Sequence, residues 1–122
     1  MAHIIDLKTF KDDRGSLSVV EGDLGFNIQR LFYIYGVPAD EVRGQHGHKK
    51  TKMGLVSVSG SCKVRVEYKE MNKEFLLDSP HKCLLLEPED WHEMYEFEKN
   101  TVLLVMASEK YSKDDYFTEI IK

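Results

Sequence analysis

Proline and cysteine are both scarce, with three prolines and two cysteines among 122 residues. No proline-, glycine- or serine-rich tract marks a linker, and 122 residues suffice for one buried core but not two. One domain spanning residues 1–122 is expected. Cys62 and Cys83 are too few and too far apart for a disulfide scaffold, and are read as buried, reduced thiols. Long apolar runs are missing as well. None approaches the ~20 residues that cross a bilayer, and Met1-Ala2-His3-Ile4-Ile5-Asp6 lacks the basic-then-apolar order of an export signal. A cytoplasmic protein with no membrane partner is expected. Neither sign of charge dominates: 17 Lys and Arg stand against 21 Asp and Glu, a net charge of −4. That balance gives neither a basic footprint for nucleic acid nor a polyanionic disordered chain.

Sustained helical periodicity is the other absence. What recurs is short alternating or wholly apolar runs between turn residues, the pattern of an all-β protein. Leu17 to Val20 follows the polar turn Asp12-Asp13-Arg14-Gly15. Gln29 to Tyr35 is apolar on both faces, as in a strand covered on both sides. Gly36-Val37-Pro38-Ala39-Asp40 breaks that run, and Met53 to Ser59 forms a strand ending at Gly60. In Cys62 to Tyr68, Val64, Val66 and Tyr68 point one way and Lys63, Arg65 and Glu67 the other, one face core and one solvent. Met71-Asn72 is the expected hairpin tip before Lys73 to Leu77. Cys83 to Leu86, Trp91 to Phe97 and Thr101 to Ala107 complete the series, and Lys113 to Ile121 is the one stretch that reads as a short terminal helix. Many short strands at close spacing predict a jelly-roll barrel or sandwich, in which closure hides the sheet edges.

The chemistry concentrates in Arg43-Gly44-Gln45-His46-Gly47-His48-Lys49-Lys50. On a strand, side chains two residues apart share a face, so His46 and His48 look into one cavity from positions about 7 Å apart along the chain. Flanking glycines admit close approach, and the basic residues favour an anionic ligand. Pro88-Glu89-Asp90-Trp91-His92 lies far downstream. A His-x-His strand followed by such a turn and a third histidine is similar to a cupin barrel, whose metal-binding members add a glutamate to the set. Thr51-Lys52-Met53 stands where that glutamate would be, which points to a cupin without metal; a three-histidine zinc site is the alternative.

The resemblance sharpens with Asp13-Arg14-Gly15-x-Leu17, Gln29-Arg30-Leu31-Phe32-Tyr33-Ile34, Val37-Pro38, Arg43-Gly44-x-His46-x-His48-Lys49, Gly60-Ser61, Pro88-x-x-Trp91-His92, Ala107-Ser108-x-x-Tyr111 and Asp115-Tyr116. In this order they resemble the sugar-nucleotide 3,4-ketoisomerases over nearly the whole chain. The resemblance implies a cupin fold and a substrate, dTDP-4-dehydro-6-deoxy-D-glucose, whose ketone moves from carbon 4 to carbon 3 ahead of 3-amino-sugar formation. It also implies a homodimer that exchanges an N-terminal strand, here Met1 to Leu7. Gly47 stands where the family commonly has alanine, and is expected to open space beside the histidines.

Moving a ketone to the neighbouring carbon takes a base, an acid and a hold on the enediolate oxygen, and no redox cofactor. Histidine, with an ordinary pKa of about 6.5, suits both proton roles. His48 is assigned as the base at carbon 3 and His46 as its partner in proton delivery. Arg43 is assigned to the diphosphate or the enediolate oxygen, since its planar fork of donors matches such oxygens. His92 either lines the site or bonds structurally. Arg14 is either a salt-bridged turn residue or a phosphate contact. Of Tyr33 and Tyr35, one is expected in the core and one at the substrate, and Lys49 either binds substrate or solvates the rim with Lys50 and Lys52. His3 and His81 are read as ordinary surface or core histidines. A 3,5-epimerase, a metal-dependent cupin and a non-catalytic sugar-nucleotide-binding cupin are the competing readings.

Overall fold

The computed structural model describes residues 1–122. It contains twelve strands: β1 (His3–Asp6), β2 (Lys8–Asp12), β3 (Gly15–Val19), β4 (Arg30–Tyr35), β5 (Arg43–His48), β6 (Met53–Ser59), β7 (Cys62–Tyr68), β8 (Met71–Leu77), β9 (Lys82–Leu86), β10 (Trp91–Tyr95), β11 (Val102–Ala107) and β12 (Tyr116–Phe117). Two five-stranded sheets, ordered β1-β9-β6-β11-β4 and β12-β5-β10-β7-β8, pair antiparallel throughout, and β2 and β3 form a separate hairpin. This is the predicted all-β jelly roll. Consecutive strands often lie in different sheets, so closing the fold requires pairing residues far apart in sequence.

Alternation builds the core. Val64 and Val66 of β7 and Leu77 of β8 meet Leu55 of β6, Leu84 of β9 and Leu103 and Val105 of β11, all completely buried. Each such side chain contributes about 1.5–3 kcal/mol through its removal from water. A second cluster of Leu7, Leu24, Val56, Cys83 and Met106 lies under Val20 and Phe26 and covers part of the first sheet's other face. Both cysteines are free and buried, and burial pushes their thiols up to about 12 for Cys62 and about 11 for Cys83.

Three expectations are corrected. Lys113 to Ile121 is not a helix: a single 3-10 turn, Lys113–Asp115, leads into β12, which pairs with the end of β5. Pairing with an open sheet edge outweighs the weak local helical preference of so short a segment. The β7–β8 tip is Lys69-Glu70 rather than Met71-Asn72, with Lys69 at φ 53° supplying the left-handed residue and Tyr68 facing Met71. The strand from Gln29 is covered on one face only: Phe32 and Ile34 pack on the core while Leu31, Tyr33 and Tyr35 are 54%, 59% and 69% exposed.

Candidate active site

Strand β5 lies between β10 and β12, and that neighbourhood assembles the site. His46 faces His92 across the β5–β10 ladder, while His48 faces Tyr116 across the β5–β12 ladder. The register slips between His92 and Glu93. Opposite the slip, Gly44 at φ 88° and Gln45 at φ 60° turn the strand through left-handed backbone. A Cβ at Gly44 would meet the His92 carbonyl at 3.0 Å and the Met94 sulfur at 3.2 Å, so the bend needs glycine.

The rings converge. Centroids are 5.3 Å apart for His46 and His48, 5.1 Å for His46 and His92, and 6.0 Å for His48 and His92. Tyr116 lies 4.8 Å from His46 and 4.4 Å from His48. The Nδ1 atoms of His46 and His92 lie 3.0 Å and 3.3 Å from the carbonyls of Gly44 and Asp90. A carbonyl only accepts, so Nδ1 carries the proton and Nε2 keeps the lone pair. Burial pushes His46 below its ordinary value. Burial, then His46, brings His48 to about 4, with Asp115 pulling upward and Arg30 downward. Burial and His46 bring His92 to about 3. All three imidazoles are neutral at pH 7 and present lone pairs.

These rings line a cavity of about 380 Å³, within the size of small-molecule sites. Phe32, Ile34, Met53, Met94 and Val105 form its apolar wall, and Arg30, Arg43, Tyr33 and Tyr35 border it. Arg30 is braced by aromatic faces, its guanidinium 4.4 Å from the Phe32 ring and 5.2 Å from the Tyr111 ring. The histidine set does not fit a metal centre: no group of three or more His, Cys, Asp or Glu side chains is arranged to hold an ion.

Six of the eight predicted site residues therefore share one cavity: His46, His48, His92, Arg43, Tyr33 and Tyr35. His92 takes the site-lining role because alternation turns Trp91 to the other face, where its Nε1 donates to the Thr118 carbonyl at 2.9 Å. Both tyrosines are exposed at the rim and stack at 5.8 Å, so neither is core. Lys49 does not line the cavity. It follows the last residue of β5, its side chain is exposed, and its N–H donates to the Asp115 carbonyl. Arg14 lies at the β2–β3 tip, 87% exposed and folded 2.6 Å onto the Asp12 carboxylate, outside this chain's cavity; the short acidic turn captures it. Nor does Gly47 open space beside the histidines: a Cβ there would overlap the Phe117 ring, so that aromatic side chain fills the notch. Reading the sequence missed Arg30 and Tyr116. Arg30 was findable, sitting two residues before Phe32 on the same strand face; Tyr116 falls in the Asp115-Tyr116 match, but a stretch that reads as helix gave it no place beside the histidines.

The family model for FdtA, described as WxcM-like, C-terminal, matches residues 1–122. The TDP-4-oxo-6-deoxy-alpha-D-glucose-3,4-oxoisomerase of Aneurinibacillus thermoaerophilus is 38% identical over 118 residues, covering 95% of this chain and 85% of that protein. The chain belongs to the sugar-nucleotide 3,4-ketoisomerase family. This ketoisomerase also superimposes on QdtA, a sugar 3,4-ketoisomerase from Thermoanaerobacterium thermosaccharolyticum in complex with TDP, with TM-score 0.93, 38% identity and coverage of 97% of this chain and 88% of QdtA. Its likeness to the dTDP-4-dehydrorhamnose 3,5-epimerase of Bacillus anthracis is one of fold alone, with TM-score 0.81 at 20% identity over 96% of this chain and 77% of the epimerase.

Proposed function

We propose that this ketoisomerase converts dTDP-4-dehydro-6-deoxy-D-glucose to its 3-keto isomer, supplying a ketone at carbon 3 for transamination. The observation that carries the reading is the set of neutral, closely spaced imidazoles of His46 and His48 facing a cavity bordered by two arginines. His48 takes the proton from carbon 3, and the electron pair of that bond becomes the carbon 3–carbon 4 double bond as the carbonyl oxygen gains charge. The proton of the carbon 3 hydroxyl passes to the carbon 4 oxyanion, the proton taken up by His48 is relayed through His46 to carbon 4, and the ketone stands at carbon 3. Arg43 holds the diphosphate or the developing oxyanion, and Arg30 adds a second cation beside the rings. His92 lines the cavity beside the pair. The proton inventory balances without a redox cofactor.

A homodimer is the second part of the reading. Leu31, Tyr33 and Tyr35 expose the outer face of β4, while Phe10 and Leu17, 54% and 58% exposed, make an apolar pair on a hairpin that has no cover of its own. These two exposed apolar faces support packing against a second copy of the chain. Within one chain β1 pairs with β9; exchange of Met1 to Leu7 would make the same ladder between subunits. Arg14, at the tip of that hairpin, would then reach nucleotide bound to the partner subunit.

The test is product analysis by NMR on incubation with dTDP-4-dehydro-6-deoxy-D-glucose. A carbonyl signal moving from carbon 4 to carbon 3, and lost with His48→Asn, supports the reading. An unchanged sugar bound with ordinary affinity would make the protein a binding module instead.

A further inference from the structure

Asp115 ends the 3-10 turn and is 7% exposed, an unusually buried position for a carboxylate. It grips the chain that leaves His48. Its carboxylate accepts the Lys50 N–H at 2.8 Å and the Thr51 hydroxyl, and its carbonyl accepts the Lys49 N–H at 2.7 Å. A second, very small cavity includes Arg30, His48, Met53 and Tyr116 of the main cavity and adds Thr51 and Asp115. His48 thus forms a wall with the substrate space on one side and Asp115 on the other.

A histidine that takes a proton from carbon becomes an imidazolium. His48 is surrounded by His46 on its own strand, His92 on β10, Tyr116 on β12 and Arg30 on β4. Of these, His46 and Arg30 oppose a positive charge on His48, as burial does. Asp115 opposes them, raising the proton affinity of His48 against burial and Arg30. Burial works against its own ionisation, but the Thr51 hydroxyl and the Lys50 N–H outweigh it and keep the carboxyl below its ordinary range.

We propose that Asp115 is a positioning residue of the reaction, fixing the end of β5 that carries His48 and serving as counter-charge to the imidazolium formed when His48 accepts the substrate proton. The proposal rests on His48 being the base. It makes the C-terminal segment, remote in sequence from the histidines, part of the catalytic apparatus.

The test is Asp115→Asn, compared with wild type and with Asp115→Glu, which keeps the charge. Asparagine is nearly the same size; its oxygen still accepts from Lys50, and the Thr51 hydroxyl can rotate to accept from its amide. Two readouts are taken: the pH profiles of kcat and KM, and the titration of His48 by NMR in the free protein. The expected result for Asp115→Asn is a kcat about tenfold to a hundredfold lower with KM changed by less than about threefold. His48 titration and the acid limb of the profile should both move about one pH unit lower, and Asp115→Glu should recover part of both. Should the asparagine variant fail to fold, Asp115→Ser, smaller and still an acceptor for Lys50, takes its place. An unmoved His48 titration in the uncharged variant overturns the proposal, as does an unmoved acid limb. If wild type leaves the sugar unchanged, the functional reading has failed, and the His48 titration still decides whether Asp115 is its counter-charge.

Discussion

His48 and His46 carry the heaviest demand in this account, and their substitutions are the sharpest residue-scale test. His48→Asn should lower kcat by about 10²–10⁴, the usual contribution of one acid–base group, while leaving nucleotide affinity within a few-fold; substrate conversion assays and TDP binding measure the two effects separately. The pH dependence follows from the ring environments. A base acts when neutral, above its pKa, and His48 lies at about 4 rather than near 6.5. The acid limb of kcat/KM should therefore fall well below pH 6.5, and a limb at 6.5 would mean that the base is an exposed histidine. The pair was legible because strand alternation makes spacing-by-two a statement about direction. For Arg14 and Lys49 the sequence left a substrate contact and a solvated or salt-bridged alternative both open, because a residue type and a nearby position say nothing about which way a turn or a strand end aims its side chain. The role of His92 needed the β5–β10 register, which depends on a slip that no local pattern announces.

At the scale of elements, the unexpected piece is β12. Its side chains make the fit: Phe117 occupies the notch at Gly47, and Trp91 Nε1 bonds the Thr118 carbonyl, so Tyr116 is pinned across the histidine pair. Gly47→Ala should thus be harmful. Its methyl would overlap the Phe117 ring, at a cost of about 1–3 kcal/mol for overpacking, and chemical denaturation should show a lowered midpoint. Activity should fall beyond the loss of folded protein because Tyr116 moves; pairing Gly47→Ala with Phe117→Leu should restore part of both. β6 and β7 carry the boundaries read from the sequence, since turn residues bracket them and alternation runs through them. The terminal segment was misread because its structure comes from an edge far away in sequence, a non-local pairing that propensity does not encode.

For the whole molecule, the buried neutral histidines set the response to acid. Unfolding returns His48 and His92 to an ordinary value near 6.5, so below that pH the unfolded chain binds protons that the folded chain refuses. Their contribution is intact above about pH 6.5 and declines as the pH falls through about 4 for His48 and about 3 for His92, at up to about 1.4 kcal/mol per pH unit for each. Urea midpoints measured from pH 7 to pH 4 should drop steadily, and His48→Asn should flatten the slope. The exposed face of β4 makes a second prediction at this scale. Light scattering should give twice the 14.2 kDa of one chain, and Leu31→Lys should shift the population toward monomer. A monomeric wild type would leave that face and the β2–β3 hairpin unexplained.

The most direct test of the central claim is to follow dTDP-4-dehydro-6-deoxy-D-glucose by NMR in deuterated water with chelator-treated protein. A ketone at carbon 3 and deuterium at carbon 4 are expected. Deuterium at carbons 3 and 5 with the ketone still at carbon 4 would contradict the claim, and would make the histidine pair the machinery of an epimerase.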